Sequence, residues 1–240
     1  ITKSVVGLTA RLLIEDGVVD PGAATARYIP KLGRTAFGEA TLATLLAMTD
    51  GVPFDETYAN PSADIHRYSR GYWGKAEGGA RAQLAALRPR PAVEGFAYRT
   101  PVADVVGAVL SAATGLALPS LVGELVWRPM GAAHPAHFVL DTAGVAIAGA
   151  GLNAATSDLA RLALLLLDGG AWNGRQVVPE RVVDALFAGG DRTAFARGYP
   201  GRPGWSYHDL WWNMDEGRIA ALGVHGQRLV IDRKRGLVLV

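Results

Sequence analysis

Three groups of side chains in this chain have the types and spacing to do chemistry. The first is Lys3, in Ile1-Thr2-Lys3-Ser4-Val5-Val6-Gly7-Leu8. Val5, Leu8 and Leu12 fall on one helical face and Val6, Ala10 and Leu13 on its neighbour, which predicts a helix buried inside a domain. A lysine at the start of such a helix is either frayed at a mobile end or held, against its desolvation cost, for proton transfer. The second group is Glu94-Gly95-Phe96-Ala97-Tyr98-Arg99-Thr100. A loop tyrosine is most often a packing residue, and a phenol with a pKa of about 10 needs a nearby cation before it works as a base. Lys3 is the natural source of that charge. The third is Ala221-Leu222-Gly223-Val224-His225-Gly226-Gln227, expected at the end of a strand. Gly223 permits close approach of a substrate and the Val224 N–H is a candidate oxyanion donor, although a bent strand alone would explain both glycines. Strand alternation places His225 on the opposite face from Val224, so it is read as structural. His134-Pro135-Ala136-His137 with Asp141 is a weaker cluster. Its two imidazoles are three apart, but Pro135 favours a loop and further ligands are unassigned, so no metal site is expected.

The elements that must position these groups are mostly helices. The first ends near Glu15-Asp16-Gly17, with Gly17 as a left-handed cap. Further helices are expected over 39–49, 62–72, 76–92 (weak, and running into an Arg-Pro-Arg-Pro linker), 101–114 capped by Gly115, and 117–127. Another runs over 156–168, capped by Thr156 or Ser157, and a last one starts at Pro179 and reaches Ala188. The small residues of 144–152, with Gly144, Gly149 and Gly151, suggest tight backbone approach. Residues 189–204 read as a Gly- and Arg-rich loop. Strands are expected over 207–214, 219–224, 227–231 and 237–240, the last two forming a hairpin at 232–236. The first helix is expected to pack where the helical and sheet parts meet, a usual place for ligand sites.

Composition narrows the function classes. The chain has 240 residues, half of them hydrophobic and 19% charged, enough for a sizeable core and inconsistent with general disorder. Lys and Arg number 24 against 22 Asp and Glu, a net +2, and basic residues form no stripe with interleaved aromatics, so nucleic acid is not expected as a partner. The apolar runs are too short and interrupted to predict a membrane span. Cysteine is absent, which removes disulfides, thiolate metal sites and a cysteine nucleophile, and fits a cytoplasmic protein. A periplasmic or secreted protein would fit as well, because the chain opens inside a helix and closes inside a strand, predicting interruption at both ends.

Ile1-Thr2-Lys3 has the spacing of the last three positions of an S-x-x-K motif, in which serine and lysine face the same side of a helix N-terminus. Its serine would come directly before Ile1. With Tyr98 and Gly223-Val224 following in that order, the chain resembles the serine β-lactamase/penicillin-binding family, and within it the 6-aminohexanoate-dimer hydrolases and related family VIII-type esterases. Leu45-Leu46-Ala47-Met48-Thr49-Asp50-Gly51, Ala155-Thr156-Ser157-Asp158-Leu159-Ala160-Arg161, Trp172-Asn173-Gly174 and Trp211-Trp212 support the resemblance, which covers the whole chain. It implies Lys3 and Tyr98 as catalytic residues, the Val224 N–H as oxyanion donor, and Gly223 and Trp212 beside the substrate. Asp55-Glu56-Thr57-Tyr58-Ala59-Asn60-Pro61 resembles the dimer-hydrolase loop, which makes Tyr58 a substrate-binding candidate.

The fold class implied is α/β (α+β), β-lactamase/DD-peptidase-like. Residues 1–240 would form one catalytic domain: an antiparallel sheet flanked by helices (1–19 and 151–240) beside an all-helical subdomain (20–150). The implied activity is serine hydrolysis of a small linear amide or ester through an acyl-enzyme, without cofactor, and a homodimer is compatible with it. Two departures stand out: Ala221-Leu222-Gly223 lacks the lysine of K-T-G, and Thr100 replaces the Asn of Y-x-N. Both point away from β-lactam turnover. The alternatives are a non-catalytic ligand-binding or sensor protein on the same fold, and a β-lactamase or DD-peptidase.

Overall fold

The computed structural model describes residues 1–74, 76–89, 91–215 and 217–240. Helix α1 (Thr2–Glu15) is buried on nearly every side from Thr2 to Leu13, as its two adjoining apolar stripes require. Gly17 follows it at φ +69°. One face of α1, at Ser4, Gly7 and Arg11, meets the tight turn Asp209-Leu210. The Ser4 hydroxyl donates to the Leu210 carbonyl at 2.9 Å, and the Arg11 guanidinium makes two bonds of 2.8 and 2.9 Å to the Asp209 carboxylate. A Cβ on Gly7 would lie 1.8 Å from the Asp209 carbonyl oxygen. Only glycine lets the two backbones come this close.

Helix α2 (Thr25–Tyr28) and a 3-10 turn at Pro30–Leu32 precede α3 (Leu42–Leu46). The helix expected over 39–49 is shorter than its apolar pattern: a Thr41–Thr44 capping box starts it, and Met48 takes a left-handed φ of +52° beyond its end. Helix α4 (Asp64–Ser69) and α5 (Gly79–Ala86) are the trimmed forms of the helices expected over 62–72 and 76–92. The long α6 (Thr100–Thr114) ends at Gly115 in the left-handed region. After α7 (Leu118–Val122) the backbone passes into a π-helical turn, Gly123–Trp127, where one continuous helix was expected.

Two small hairpins were not foreseen: β1 (His137–Phe138) with β2 (Leu152–Asn153), and β3 (Ala171–Trp172) with β4 (Arg175–Gln176). Two-residue strands carry too few positions for an alternation to show. Between the hairpins runs α8 (Thr156–Leu167). Its N-cap is Ala155, without a side-chain cap, so neither Thr156 nor Ser157 fills that role. Helix α9 (Glu180–Ala188) begins after Pro179.

The loop expected over 189–204 contains a helix, α10 (Arg192–Gly198), capped by the Asp191 carboxylate on the Thr193 and Ala194 N–H groups. Flanking glycines and arginines hid it. The last five strands, β5 (Ser206–His208), β6 (Trp211–Asp215), β7 (Arg218–Leu222), β8 (Arg228–Asp232) and β9 (Leu237–Leu239), form one antiparallel sheet in sequence order. The single strand expected over 207–214 is thus a hairpin. Asp209 and Leu210 both take positive φ, a turn that usually advertises itself with glycine or asparagine. Helix α8 lies across β8 and β9, while α1 packs between α6, α9 and β6. Among the described residues no single helix is long and apolar enough to cross a membrane.

Candidate active site

Lys3 is buried, 8% exposed, on the first turn of α1. Its ammonium donates to the Gly149 carbonyl at 2.7 Å and to Thr100 Oγ1 at 3.3 Å. It stands 5.0 Å from the centre of the Tyr98 ring. Burial would strip its proton, but the phenol of Tyr98 and the carboxylates of Glu56 and Asp104 outweigh burial and hold its pKa above the usual lysine value. Lys3 therefore rests as a cation. Two residues separated by 95 positions, read from sequence as partners, share one site.

Thr100 joins this pair to a carboxylate the sequence reading passed over. Its hydroxyl accepts from Lys3 and donates to Glu56 Oε1 at 2.6 Å. Its backbone N–H, at the first position of α6, donates to Glu56 Oε2. A carboxylate at a helix N-terminus is favoured by the unpaired N–H groups there. Burial still raises the Glu56 pKa, against the opposing pull of Lys3 and Thr100. The only sequence signal for Glu56 was its position two before Tyr58. Thr100, read as a loss relative to the Asn of Y-x-N, keeps an oxygen within reach of the amine.

The Glu56 loop is fixed locally. Asp55 accepts from the Thr57 N–H at 2.9 Å and from Asn60 at 3.1 Å, and the Asp55 N–H donates to Asp64 at 3.0 Å. Tyr58 is 53% exposed. Its hydroxyl reaches Glu56 at 3.4 Å, a long bond. Behind the site, Arg99 turns inward and binds the Met48 carbonyl at 3.0 Å, the Val52 carbonyl, and Asp50 at 2.9 Å. Arg99 and Asp50 are both buried, and burial lowers the arginine's pKa and raises the aspartate's in spite of their attraction. This ion pair fastens the 48–52 turn beneath the Tyr98 loop.

Tyr98 rests on aromatic neighbours. Trp212 stacks on it with ring centres 5.4 Å apart and planes at 20°, and Tyr207 meets it edge-on at 6.1 Å. Tyr207 and Trp212 face each other across the β5–β6 pair, which is how the sheet delivers both rings to one side. Trp212 thus lies against Tyr98.

Gly223 and Val224 lie beyond β7, at the tip of the β7–β8 hairpin. The Gly223 N–H donates to the Gln227 carbonyl at 2.8 Å. Val224 is 71% exposed, and its N–H makes no hydrogen bond among the described residues. The strand expected to 224 stops at Leu222, so alternation does not govern His225, which sits exposed in the turn. The His134 cluster is structural. Asp158 accepts from the Ala133 and His134 N–H groups at 2.7 and 2.9 Å and contacts the His134 ring at 3.0 Å. Asp141 accepts the Ala80, Ala143 and Val145 N–H groups. No three His, Asp or Glu side chains gather as a metal-binding group among the described residues.

A buried ammonium held against a phenol beside a helix N-terminus can move protons for a nucleophile attacking a carbonyl. Comparison with known proteins agrees in class: the Beta-lactamase family model matches residues 1–240, and the chain belongs to that family. It is 28% identical to a 6-aminohexanoate-dimer hydrolase from Paenarthrobacter ureafaciens, an alignment covering all of this chain and 64% of the relative. A Bacillus anthracis structure provisionally named 6-aminohexanoate-dimer hydrolase superposes with a TM-score of 0.84 at 27% identity, over 99% of this chain and 64% of that one. A family VIII carboxylesterase shares the fold, with a TM-score of 0.70 at 16% identity, over 99% of this chain and 74% of its own. The chain therefore spans somewhat less than two thirds of the length of the two aminohexanoate relatives.

Proposed function

We propose that this chain carries the core of a serine hydrolase that cleaves a small linear amide or ester through an acyl-enzyme. The observation that supports it most is the Lys3 ammonium held between the Gly149 carbonyl and Thr100, 5.0 Å from the Tyr98 ring. The nucleophile is a serine directly before Ile1, outside this chain. Its oxygen attacks the carbonyl carbon as its proton passes to the oxygen of Tyr98 acting in its phenolate form, whose negative charge the Lys3 cation offsets until the proton arrives and leaves a neutral phenol. The same pair returns that proton to the departing amine or alcohol, and the bond from carbonyl carbon to leaving group breaks. Water then attacks the acyl-enzyme, its proton taking the reverse route to the serine. The unpaired Val224 N–H and the serine's own N–H would hold the oxyanion. The missing lysine of Ala221-Leu222-Gly223 favours a linear substrate over a β-lactam, and Tyr58, Gly223 and Trp212 would bound its pocket.

The test takes the protein with the residues that precede Ile1 and offers it p-nitrophenyl butyrate and an aminohexanoate dimer. Turnover of either, lost in Lys3→Ala and Tyr98→Phe, is the expected result. Labelling by a fluorophosphonate at the residue before Ile1 would identify the nucleophile by mass spectrometry. Absence of both turnover and labelling would leave a ligand-binding protein on this fold, and preferential cleavage of penicillins would move the assignment to the β-lactamases.

A further inference from the structure

Among the buried carboxylates that the proposed reaction does not use, Asp104 stands nearest in the network to Lys3. Asp104 lies on α6 four residues beyond Thr100 and three before Gly107, so all three share a helix face. The segment Ala148-Gly149 is pressed onto that face. A Cβ on Gly107 would lie 2.9 Å from the Ala148 Cβ, and a Cβ on Gly149 would lie 2.6 Å from the Tyr72 hydroxyl and 2.8 Å from Thr100 Cγ2. Asp104 Oδ1 accepts the Ala148 and Gly149 N–H groups at 2.8 and 3.0 Å. Its Oδ2 accepts the hydroxyls of Tyr68, at 2.8 Å, and Tyr72. Four donors converge on one acid. The same glycine that Asp104 grips by its N–H offers its carbonyl to Lys3 at 2.7 Å, the shorter of the ammonium's two hydrogen bonds.

We infer that Asp104 is a positioning residue for Lys3: it clamps the backbone at Ala148-Gly149 so that the Gly149 carbonyl holds the ammonium against Tyr98. Two arguments favour this over a purely structural role. Substitution of Gly149 by any larger residue would push this segment away from Thr100 and Tyr72, so the close approach is built for the carbonyl's location. And a carboxyl group takes all four donors where neutral acceptors would satisfy phenols and amides alike, which places an acid in the interior near the lysine. Burial raises the Asp104 pKa while the two phenols and the two N–H groups pull it down, and the carboxylate acts on Lys3 together with Tyr98 and Glu56. Asp141 also bears on this cluster through Tyr68.

The proposal rests on the reading of Lys3 as the proton-moving group, so its test includes a readout that does not need turnover. Asp104→Ala removes both clamp and charge, whereas Asp104→Asn keeps an oxygen for the two backbone N–H groups and turns its amide toward phenols that can accept. In the protein with its preceding residues, Asp104→Ala should lose on the order of 10²-fold in kcat toward p-nitrophenyl butyrate with KM little changed. Asp104→Asn should recover most of that loss. Labelled with 13C at the lysine ε-carbon and assigned through Lys3→Ala, the Lys3 resonance should titrate at lower pH in both variants, since a carboxylate no longer favours the ammonium. A folded Asp104→Ala protein with wild-type kcat and wild-type Lys3 titration overturns the proposal, as does a fall in melting temperature alone. If Asp104→Ala does not fold, Asp104→Asn and Tyr72→Phe decide: an unmoved Lys3 resonance in both overturns it. If the wild type turns over nothing yet Lys3 shifts in the variants, the clamp stands and the hydrolase reading falls.

Discussion

The two halves of the site proposed above are built in opposite ways. Around Lys3 the polar groups bond to one another: the ammonium, Thr100, Glu56, Gly149 and Asp104 form one largely buried network whose members come from four separate stretches of chain. At the other half, Val224 sits on a hairpin tip, with an exposed side chain and an N–H bonded to nothing among the described residues. Proton transfer needs groups whose charges and distances are fixed by burial, because low dielectric magnifies each interaction. An oxyanion donor needs only a backbone N–H left unsatisfied, and side chains there are free to vary.

The buried half carries the largest expected effects. Lys3→Ala should lower kcat toward an ester by about 10²–10⁴-fold, the range for removing a group that transfers protons. An alanine variant within a few-fold of wild type would mean that the network is scaffolding. Arg99→Leu tests the scaffolding directly. It leaves Asp50 buried without its partner, a loss of about 3–5 kcal/mol in urea-unfolding free energy. Burial already outweighs attraction at both ends of that pair, so replacing Arg99 and Asp50 together by apolar residues should restore much of the stability. If the double variant is no better than the single one, the pair itself is the stabilising feature.

At the exposed half the expectation reverses with the kind of substitution. Val224→Ala should change nothing, because the side chain is solvated. Val224→Pro deletes the N–H and should cost about 10²–10³-fold in kcat. Equal effects from both variants would show that the tip acts through its side chain instead.

A smaller effect comes from pH. The folded protein holds the Lys3 pKa above the ordinary 10.5, so its ammonium stabilises the fold fully below that value and ceases to as pH rises through the higher, folded value. The melting temperature of wild type should therefore fall above about pH 10.5 by more than that of Lys3→Met. Parallel profiles would mean that the amine is no better held than in the unfolded chain.

What the sequence made legible follows from distance along the chain. The buried character of α1, the Gly17 and Gly115 caps and the strand-rich C-terminal end are local patterns, and each was read from a few neighbouring residues. Lys3 and Tyr98 were legible as a pair only because a motif order linked them. Glu56, Gly149 and Asp104 had no such link: each matters through partners 44 to 146 positions away, as in the Lys3–Gly149 and Thr100–Glu56 bonds. The Asp209-Leu210 turn was hidden differently. Its two positive φ angles are held from outside, by Arg11, by Ser4, by the absent side chain of Gly7 and by the Leu210 N–H bonded to the Leu46 carbonyl. Tertiary contact replaced local propensity there.

Tyr58 gives the smallest effect and the finest discrimination. More than half exposed and bonded to Glu56 only at 3.4 Å, its hydroxyl contributes little to the fold, and Tyr58→Phe should move the unfolding free energy by less than about 0.5 kcal/mol. Chemistry is another matter. A phenol at the mouth of the Lys3–Thr100–Glu56 network can donate to or accept from an amide that an ester lacks the N–H to match, so the variant should slow amide cleavage while leaving ester cleavage within about two-fold. The ratio of the two rates is the measurement, since it cancels errors in active protein. An unchanged ratio would place Tyr58 outside substrate contact and leave the buried network, with Trp212 against Tyr98, to select the substrate alone.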